Sequence, residues 1–450
     1  MKVLLVRNHD GGNINTRLPE SLKKAQGVYP PLALAYIAGF LESNNVDVEI
    51  LDTIALNLTK EETKKHIAKA NPTIVGVTSM TPTCRGALEI CELAKDVDKN
   101  ILTVVGGVQM SVYPNEMISY SYVDVGVVGD GEHAMLDIVK KTEASKKVKG
   151  LVYGKRVENL DDLPFPARHL LPNDKYWCVI TDHPFTTLMT SRGCPFRCGF
   201  CFPHDKVLRL RSAKNIVDEM EYIAKKYKFK EIMLYDDTFT VNRKHAVSVC
   251  KEILKRKLNV KWEAPTRVDR VDKKLLELMK KAGCIRLRYG IESGSPRILR
   301  DMNKLITLDQ AAKAVKLTKE IGIENFTYFI LGYARGNERT MQKTINFAKK
   351  IDPDWVMFTA ATPLPKTKLY DDSVELGLID KNYWKDFTLG KRSDRTPYLV
   401  KDADKWVSKA YKTLYLRPSF IWNKLRKVNS VYALKKNIQG ALGILHFEMN

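Results

Sequence analysis

Eight cysteines are spread unevenly over the 450 residues: Cys194, Cys198 and Cys201 fall close together, whereas Cys84, Cys91, Cys178, Cys250 and Cys284 are scattered. Three thiolates at CxxxCxxC spacing, in a loop made pliable by Gly193 and Gly199, can wrap one face of a cubane iron–sulfur cluster. Cysteine ligation of such a cluster normally uses four thiolates. Three leave one iron open, and an open coordination position lets a metal bind and activate a small molecule. The spacing therefore points to a catalytic cluster rather than an electron relay alone. The alternative is a structural zinc loop, for which His204 is the only nearby fourth ligand. Lone cysteines in apolar stretches are ordinarily small core residues, and Cys84, Cys91, Cys250 and Cys284 read that way; Cys178 is similar, or lies near the cluster loop.

Such a loop needs a scaffold. From Thr186 to about Pro365, β-type and helix-type stretches alternate, with strands predicted near Thr186–Thr190, Glu231–Tyr235, Val260–Ala264, Ile285–Tyr289, Phe326–Leu331 and Val356–Ala360. Ser212 is placed to cap the first helix, whose stripe is Ile216, Val217, Met220, Ile223, Ala224 and Tyr227. Six βα units predict an open, partial barrel, and barrel sites gather at the carboxyl mouths of the strands. At those mouths stand Tyr235-Asp236-Asp237-Thr238-Phe239, Thr266-Arg267-Val268-Asp269 and Tyr289-Gly290-Ile291-Glu292-Ser293-Gly294-Ser295. Glu292 can accept from hydroxyls or an amine and Arg267 can pair with a carboxylate, although a charged residue ending a strand is often only a solvated rim.

Residues 1–150 alternate in the same way, with strands predicted at Val3–Val6, Val46–Leu51, Ile74–Thr78, Leu102–Val105 and Val123–Val128, and crossover helices such as Leu32–Asn44 and Arg85–Asp96. Five strands of this kind predict an α/β, Rossmann-like doubly wound domain, whose ligand lies beyond the carboxyl ends of the strands. That directs attention to Arg7–Asn13, Ser79–Thr81, Gly106–Gln109 and Gly129–Glu132. Residues 151–182, with Asp161, Asp162, Pro164, Pro166 and Pro172, read as an interdomain linker, residues 183–370 as the barrel, and residues 371–450 as a basic helical C-terminal region. Its marked helical stretches are Trp406–Leu416 and Ile421–Val428.

A composition of 44% apolar and 28% charged residues excludes disorder, collagen and a disulfide-stapled miniprotein. No apolar run reaches the roughly 18 residues of a membrane span, and the apolar stretch in MKVLLVRNHD is too short for a secretion signal, so a cytoplasmic protein is expected. Lys plus Arg, 74, exceed Asp plus Glu, 52, giving a net charge of +22. That favours an anionic partner, whether phosphorylated cofactor, nucleic acid or lipid headgroups. No appended RNA-binding module argues for nucleic acid. The basic, aromatic C-terminal segment, with Trp406, Tyr411, Tyr415, Trp422 and Leu425, suits peripheral contact with the inner face of a membrane, or else a helical cap over the barrel.

Taken together, CxxxCxxC with Phe200 before its third cysteine and the strand ends Tyr235–Phe239, Thr266–Asp269 and Tyr289–Ser295 resemble the radical S-adenosylmethionine (SAM) superfamily over about Thr186–Pro365. The resemblance implies a [4Fe-4S] cluster on Cys194, Cys198 and Cys201, with SAM chelated at the open iron and cleaved by one electron to a 5′-deoxyadenosyl radical. It implies adenine contact through the Phe200 main chain, further SAM contacts from Asp237, Arg267, Glu292 and Ser293, and a reducing electron donor of flavodoxin or ferredoxin type. Thr362-Pro363-Leu364-Pro365-Lys366-Thr367 departs from the family pattern in carrying Lys366 where Gly is usual.

An α/β domain before this barrel is similar to the cobalamin-binding module of B12-dependent radical SAM enzymes. The matching runs are Pro30–Gly39, Ser79-Met80-Thr81, Val105-Gly106-Gly107 and Asp124–Glu132. The resemblance implies cobalamin held by Ser79 and Thr81, whose hydroxyls face its nucleotide tail, by Gly106, Gly107, Gly129 and Gly131, where backbone comes close to a large ligand, and by Glu132. The axial-histidine loop DxHxxG is reduced to His9 and Gly12, with Arg7 in place of the Asp, so His9 reads as a loop or second-layer residue and the cobalt as lacking a protein imidazole. The reaction implied is methylation of an unactivated carbon of a small-molecule or lipid-like substrate. Ring closure, rearrangement or coupling on a lipid, tetrapyrrole or natural product uses the same parts, and modification of nucleic acid is a further reading.

Overall fold

Val3, Leu4, Leu5 and Val6 are almost wholly buried on both faces of their strand, as in a parallel sheet covered on both sides by helices. This strand is β1 (Lys2–Arg7), followed by β2 (Asp47–Asp52), β3 (Ile74–Thr78), β4 (Leu102–Gly106), β5 (Val125–Gly129) and β6 (Gly150–Gly154). All pair in parallel, in the order β2-β1-β3-β4-β5-β6. The helices between them are α1 (Leu32–Glu42), α2 (Lys60–Ala70), α3 (Cys84–Val97), α4 (Val108–Val112), α5 (Pro114–Ile118) and α6 (Gly131–Glu143). The computed structural model describes residues 1–9, 27–178, 180–202, 205–393, 397–418 and 420. Among the described residues the chain divides into two compact units, one formed by 1–9, 28–176 and 381–393, the other by 177–380 and 397–420.

One strand lies where the sequence reads as linker. β6 pairs with β5 from Val125↔Gly150 to Gly129↔Gly154. It is an edge strand of partly exposed residues bounded by two glycines, so it lacks the apolar run by which its neighbours announce themselves.

The second unit is built on β7 (Phe185–Leu188), β10 (Glu231–Leu234), β11 (Trp262–Thr266), β12 (Cys284–Glu292), β13 (Glu324–Leu331) and β14 (Trp355–Ala360), with the small antiparallel pair β8 (Ser191–Arg192) and β9 (Arg209–Leu210) beside it. The six long strands form one parallel open sheet, β14-β13-β12-β11-β10-β7, a half-barrel. Helices α7 (Ala213–Tyr227), α8 (Arg243–Lys255), α9 (Lys273–Lys281), α10 (Pro296–Asp301), α11 (Leu308–Glu320) and α12 (Glu338–Ile351) follow the strands in turn. The Ser212 side chain accepts from Asn215 N at 3.1 Å and so caps α7, whose Ile216, Val217, Met220 and Ile223 enter the core. Along β12, Leu287, Tyr289 and Ile291 join that core under the helices. Their alternates Arg286, Arg288, Gly290 and Glu292 share the other face.

The described C-terminal region is helical: α13 (Lys368–Glu375), α14 (Tyr383–Thr388) and α15 (Ala403–Tyr415). Of the two roles open to its aromatic stripe, the described part caps the barrel. Tyr411 donates to the carbonyl of Phe358 and accepts from its N–H, at 3.3 and 3.2 Å, and Tyr415 does the same with Val356 at 2.7 and 3.1 Å. These phenols satisfy main-chain groups of β14, an edge strand, and so close the sheet's exposed flank. Segment 381–393, by contrast, belongs with the first unit. The stretch Ile421–Val428, with Trp422 and Leu425, lies outside the described residues. Among the described residues no helix is long and apolar enough to cross a membrane.

Candidate functional site

The cysteine loop starts where β7 ends, and its stem is the β8–β9 pair, Ser191↔Leu210 and Arg192↔Arg209. The stem is bound to the next barrel strand by Asp236, directly after β10. Its buried carboxylate accepts from Thr190 N at 2.7 Å, from Ser191 N at 3.2 Å and from the Thr190 hydroxyl. Burial pushes the Asp236 carboxyl up to about 6 against those hydrogen bonds. Asp237 beside it is exposed and close enough to push the thiols of Cys194 and Cys201 upward.

Within the loop, Gly193 has φ +88°, and a Cβ there would lie 2.4 Å from the Val207 carbonyl oxygen, so only glycine lets the two arms close. Cys194 N donates to Asp205 O at 3.0 Å, Gly199 N to Met302 O at 2.7 Å, and Leu369 N to Gly199 O at 2.8 Å. The Asn303 side chain holds Arg197 O at 2.7 Å. The loop is thus fastened to the segments after α10 and at the start of α13. The Phe200 main chain makes no hydrogen bond among the described residues, while its side chain packs against the small core cluster to which Ile298, Met302 and Tyr333 belong.

Arg267, at the end of β11, is fully engaged. It stacks on Phe196 at 4.0 Å, donates to the Cys198 sulfur at 3.9 Å, to Asp269 at 2.9 Å and to Lys304 O at 2.8 Å. It therefore braces the loop and sets a fixed positive charge against Cys198. Burial, first, and the neighbouring thiols raise Cys201 to about 11 and Cys194 above its ordinary value. Three thiols with a guanidinium on one of them fit a group whose cationic metal draws off their protons and whose net charge is negative. Among the described residues no three Cys, His, Asp or Glu side chains converge as a ready single-ion site. His204, the fourth ligand of the zinc alternative, lies outside the described residues.

Glu292 closes β12 at a register shift and has φ +72°, a conformation L residues adopt at a cost. Its carboxylate folds back over Gly290, where a Cβ would lie 2.4 Å from Oε1, and accepts from the buried Lys304 ammonium at 2.9 Å. That ammonium is 5.7 Å from the centre of the Phe200 ring. Cys198, Arg267, Lys304, Glu292 and Phe200 are therefore one connected group. Sequence reasoning missed Lys304 and Phe196; Lys304 lies in a mixed stretch, Arg300-Asp301-Met302-Asn303-Lys304, that gives no local sign of its burial. The Ser293 hydroxyl is taken up with Thr344 of α12 at 3.1 Å and Ser295 N at 3.1 Å.

In the first unit, the ends of β3 and β4 are tied together: Ser79 N donates to Gly106 O at 2.8 Å and Gln109 N to Ser79 O at 3.1 Å. Gly107, at φ +97°, sits so close that a Cβ would lie 2.5 Å from Ser79 O, whereas a Cβ on Gly106 meets nothing within 4 Å. Gly129 and Gly131 have reasons within the protein to lack a side chain, since a Cβ would lie 3.0 Å from Gly154 O and 3.0 Å from Ile37. Thr81 and Glu132 are buried at the starts of the segments that follow β3 and β5. The Ser79 hydroxyl is buried and has no hydrogen-bond partner among the described residues. An open cradle at Gly106 beside an unsatisfied hydroxyl fits a large ligand with polar edges. His9 is held elsewhere, its Nε2 3.2 Å from the Thr63 hydroxyl of α2, and burial lowers its pKa. Residues 10–13 of that loop lie outside the described residues. Burial likewise pushes the thiols of Cys84, Cys91 and Cys250 up to about 12, as befits core residues.

A half-barrel with a three-cysteine loop, joined in one chain to a six-stranded α/β domain with a glycine cradle, defines a class of two-cofactor enzymes, and comparison with known proteins agrees. Residues 188–348 match the family model of the radical SAM superfamily and residues 22–139 that of the B12 binding domain. The chain is 33% identical to an uncharacterized methyltransferase of Pyrococcus horikoshii over 93% of its own length and 94% of the relative's. It is 31% identical to an anaerobic magnesium-protoporphyrin IX monomethyl ester cyclase of Rubrivivax gelatinosus, over 79% of this chain and 69% of that one. Its fold is similar to that of the radical SAM methyltransferase TsrM of Kitasatospora setae, solved with cobalamin and a [4Fe-4S] cluster, at a TM-score of 0.64 and 18% identity over 83% and 75% of the two chains. It is similar too to the cobalamin-dependent radical SAM enzyme OxsB, at 0.62 and 20% over 89% and 58%. The chain belongs to the cobalamin-dependent radical SAM family, among relatives named as methyltransferases and cyclases. Its cofactors are a [4Fe-4S] cluster, SAM and cobalamin.

Proposed function

We propose that this enzyme methylates an unactivated carbon of a small-molecule substrate, with Cys194, Cys198 and Cys201 ligating the cluster. When bound, the cluster supplies the electron that cleaves SAM and cobalamin carries the methyl group that is delivered. The single observation that carries the assignment is the connected group around the cysteine loop. Arg267 braces Cys198, and through its bond to Lys304 O it fixes the lysine that holds Glu292. In that group Arg267 offsets the negative charge of the thiolates. Lys304 and Glu292 offer a cation and a carboxylate to the amino-acid and ribose ends of SAM, and the unbonded Phe200 main chain offers a donor and an acceptor to its adenine. Ser79, Thr81, Gly106, Gly107 and Glu132 hold the corrin. Asp237, exposed beside the loop, contributes to SAM binding from the second barrel strand.

A second reading, ring closure, is favoured by the 31% identity to a protein named as a cyclase of a magnesium-protoporphyrin ester. The two differ in stoichiometry, because methylation consumes one SAM to recharge the corrin and another for the radical. Anaerobic protein reconstituted with iron, sulfide and hydroxocobalamin is incubated with SAM and reductant. With no substrate added, a methyltransferase loads the reduced corrin with one methyl group and so yields up to one S-adenosylhomocysteine per cobalamin beside the 5′-deoxyadenosine of uncoupled SAM cleavage, whereas a cyclase that does not recharge its corrin yields 5′-deoxyadenosine alone. Complete absence of 5′-deoxyadenosine, with the cluster shown to be intact, would overturn both.

A further inference from the structure

Thr388 stands at the end of α14, far along the chain from the α/β domain, yet it is buried against that domain's ligand edge. Its hydroxyl proton is donated to Trp384 O at 2.8 Å. The same oxygen can then only accept, and it accepts from Gln109 Nε2 at 2.7 Å. This bond orients the amide: the nitrogen points to Thr388, and Oε1 is left on the other side, buried and without a hydrogen-bond partner among the described residues. Gln109 is in turn tied through its main chain to Ser79, whose buried hydroxyl is also unsatisfied. Two neighbouring buried polar groups without partners are uncommon, and both lie beside the open cradle of Gly106.

The rest of the segment is anchored where it can hold this arrangement. Tyr120 donates to Thr388 O at 2.9 Å, the Arg85 guanidinium lies 5.9 Å from the centre of the Phe387 ring and donates to Arg392 O at 3.2 Å, and Lys385 pairs with Glu116 at 3.6 Å. The points of attachment are α3, α4 and the residues in and just after α5, that is, the elements that follow β3 and β4.

We infer that segment 381–393 is part of the cobalamin site, with Thr388 as a positioning residue that turns the Gln109 amide oxygen, beside the Ser79 hydroxyl, toward an N–H or O–H donor of the corrin, an amide arm or the ribose. The inference rests on cobalamin being a cofactor of this chain and adds to it a wall drawn from the C-terminal region.

The test measures hydroxocobalamin affinity of the full chain by equilibrium dialysis, with iron content of the same preparations alongside. Thr388→Val, which keeps the shape but cannot accept, and Gln109→Leu are each expected to weaken binding by roughly tenfold, the worth of one buried hydrogen bond. Thr388→Ser is expected to retain it, and iron content is expected to stay at the wild-type level in all three. In the wild-type chain, hydrogen exchange across residues 381–393 is expected to slow when hydroxocobalamin is added, a readout that needs no variant to fold. Wild-type affinity in both Thr388→Val and Gln109→Leu, or unchanged exchange in the segment on binding, overturns the inference while leaving cobalamin in place. A wild-type chain that binds no hydroxocobalamin overturns both.

Discussion

Gly106 and Gly107 are neighbours that lack side chains for opposite reasons. At Gly107 a methyl group would strike the Ser79 carbonyl and strain a backbone at φ +97°; at Gly106 it would enter empty space. A glycine that the fold does not require is one whose space is kept for something else. Gly106→Val is therefore expected to leave thermal stability of the cofactor-free protein within about 1 kcal/mol of wild type while reducing hydroxocobalamin binding at least tenfold. Gly107→Ala is expected to destabilise the cofactor-free protein by about 1–3 kcal/mol. Paired thermal melts and absorbance titrations check both. If Gly106→Val binds cobalamin normally, the cradle is not where the corrin lies. Reversing the two stability effects would mean that the crowding lies at Gly106 instead.

At the scale of elements, β12 shows what a strand can carry on its inner face. Arg286 and Arg288 point there among Glu231, Glu263 and Glu324, with Arg286 2.8 Å from Glu263 and 3.6 Å from Glu231. Burial outweighs this distant pairing at Glu231, whose carboxyl is raised to about 7. A carboxyl with a folded pKa above its unfolded one binds an extra proton in the native state. Its contribution is full below about pH 4.5 and is lost as pH rises through about 7. Glu231→Gln should thus change little at pH 5 and raise the urea midpoint at pH 8, with an upper bound on the order of 3 kcal/mol. A variant less stable than wild type at pH 8 would show that the Arg286 attraction dominates. Much of this architecture was legible in advance. All six barrel strands, five of the α/β strands and the Ser212 cap follow from period-two or uninterrupted apolar runs and from capping chemistry. What escaped was non-local: β6, whose pairing supplies what its own residues do not announce; the β8–β9 stem, two residues a side; Lys304, whose neighbour Glu292 is set by a bulge; and Thr388, whose partner is 279 positions away. Local pattern encodes an element's face, but only the assembled chain reveals which distant side chain that face meets.

For the whole molecule, the excess of 22 positive charges has its most informative local expression around the cysteine loop. Arg197 and Lys206 are exposed on the loop itself, Arg300 on the helix that anchors it, and Lys366 and Lys368 at the start of the second anchor. The 2.9 Å bond from Lys206 to Phe196 O keeps that cation close enough to act on the thiols of Cys194 and Cys201. A protein reductant approaching such a rim gains from a negative surface, through faster encounter rather than tighter final contact. Encounter of that kind weakens as salt shortens the screening length from roughly 14 Å to a few ångströms. Reduction of the cluster by an acidic flavodoxin or ferredoxin is thus expected to slow by roughly tenfold between about 0.05 M and 0.5 M sodium chloride. Photoreduction with a small neutral deazaflavin should change little over the same range. The double variant Arg197→Glu with Arg300→Glu should abolish most of the salt dependence for the protein donor and leave the deazaflavin rate intact. Stopped-flow loss of the cluster's visible absorption reads all three. A protein-donor rate indifferent to salt would mean that the positive rim plays no part in electron delivery and that the charge of the chain serves another partner.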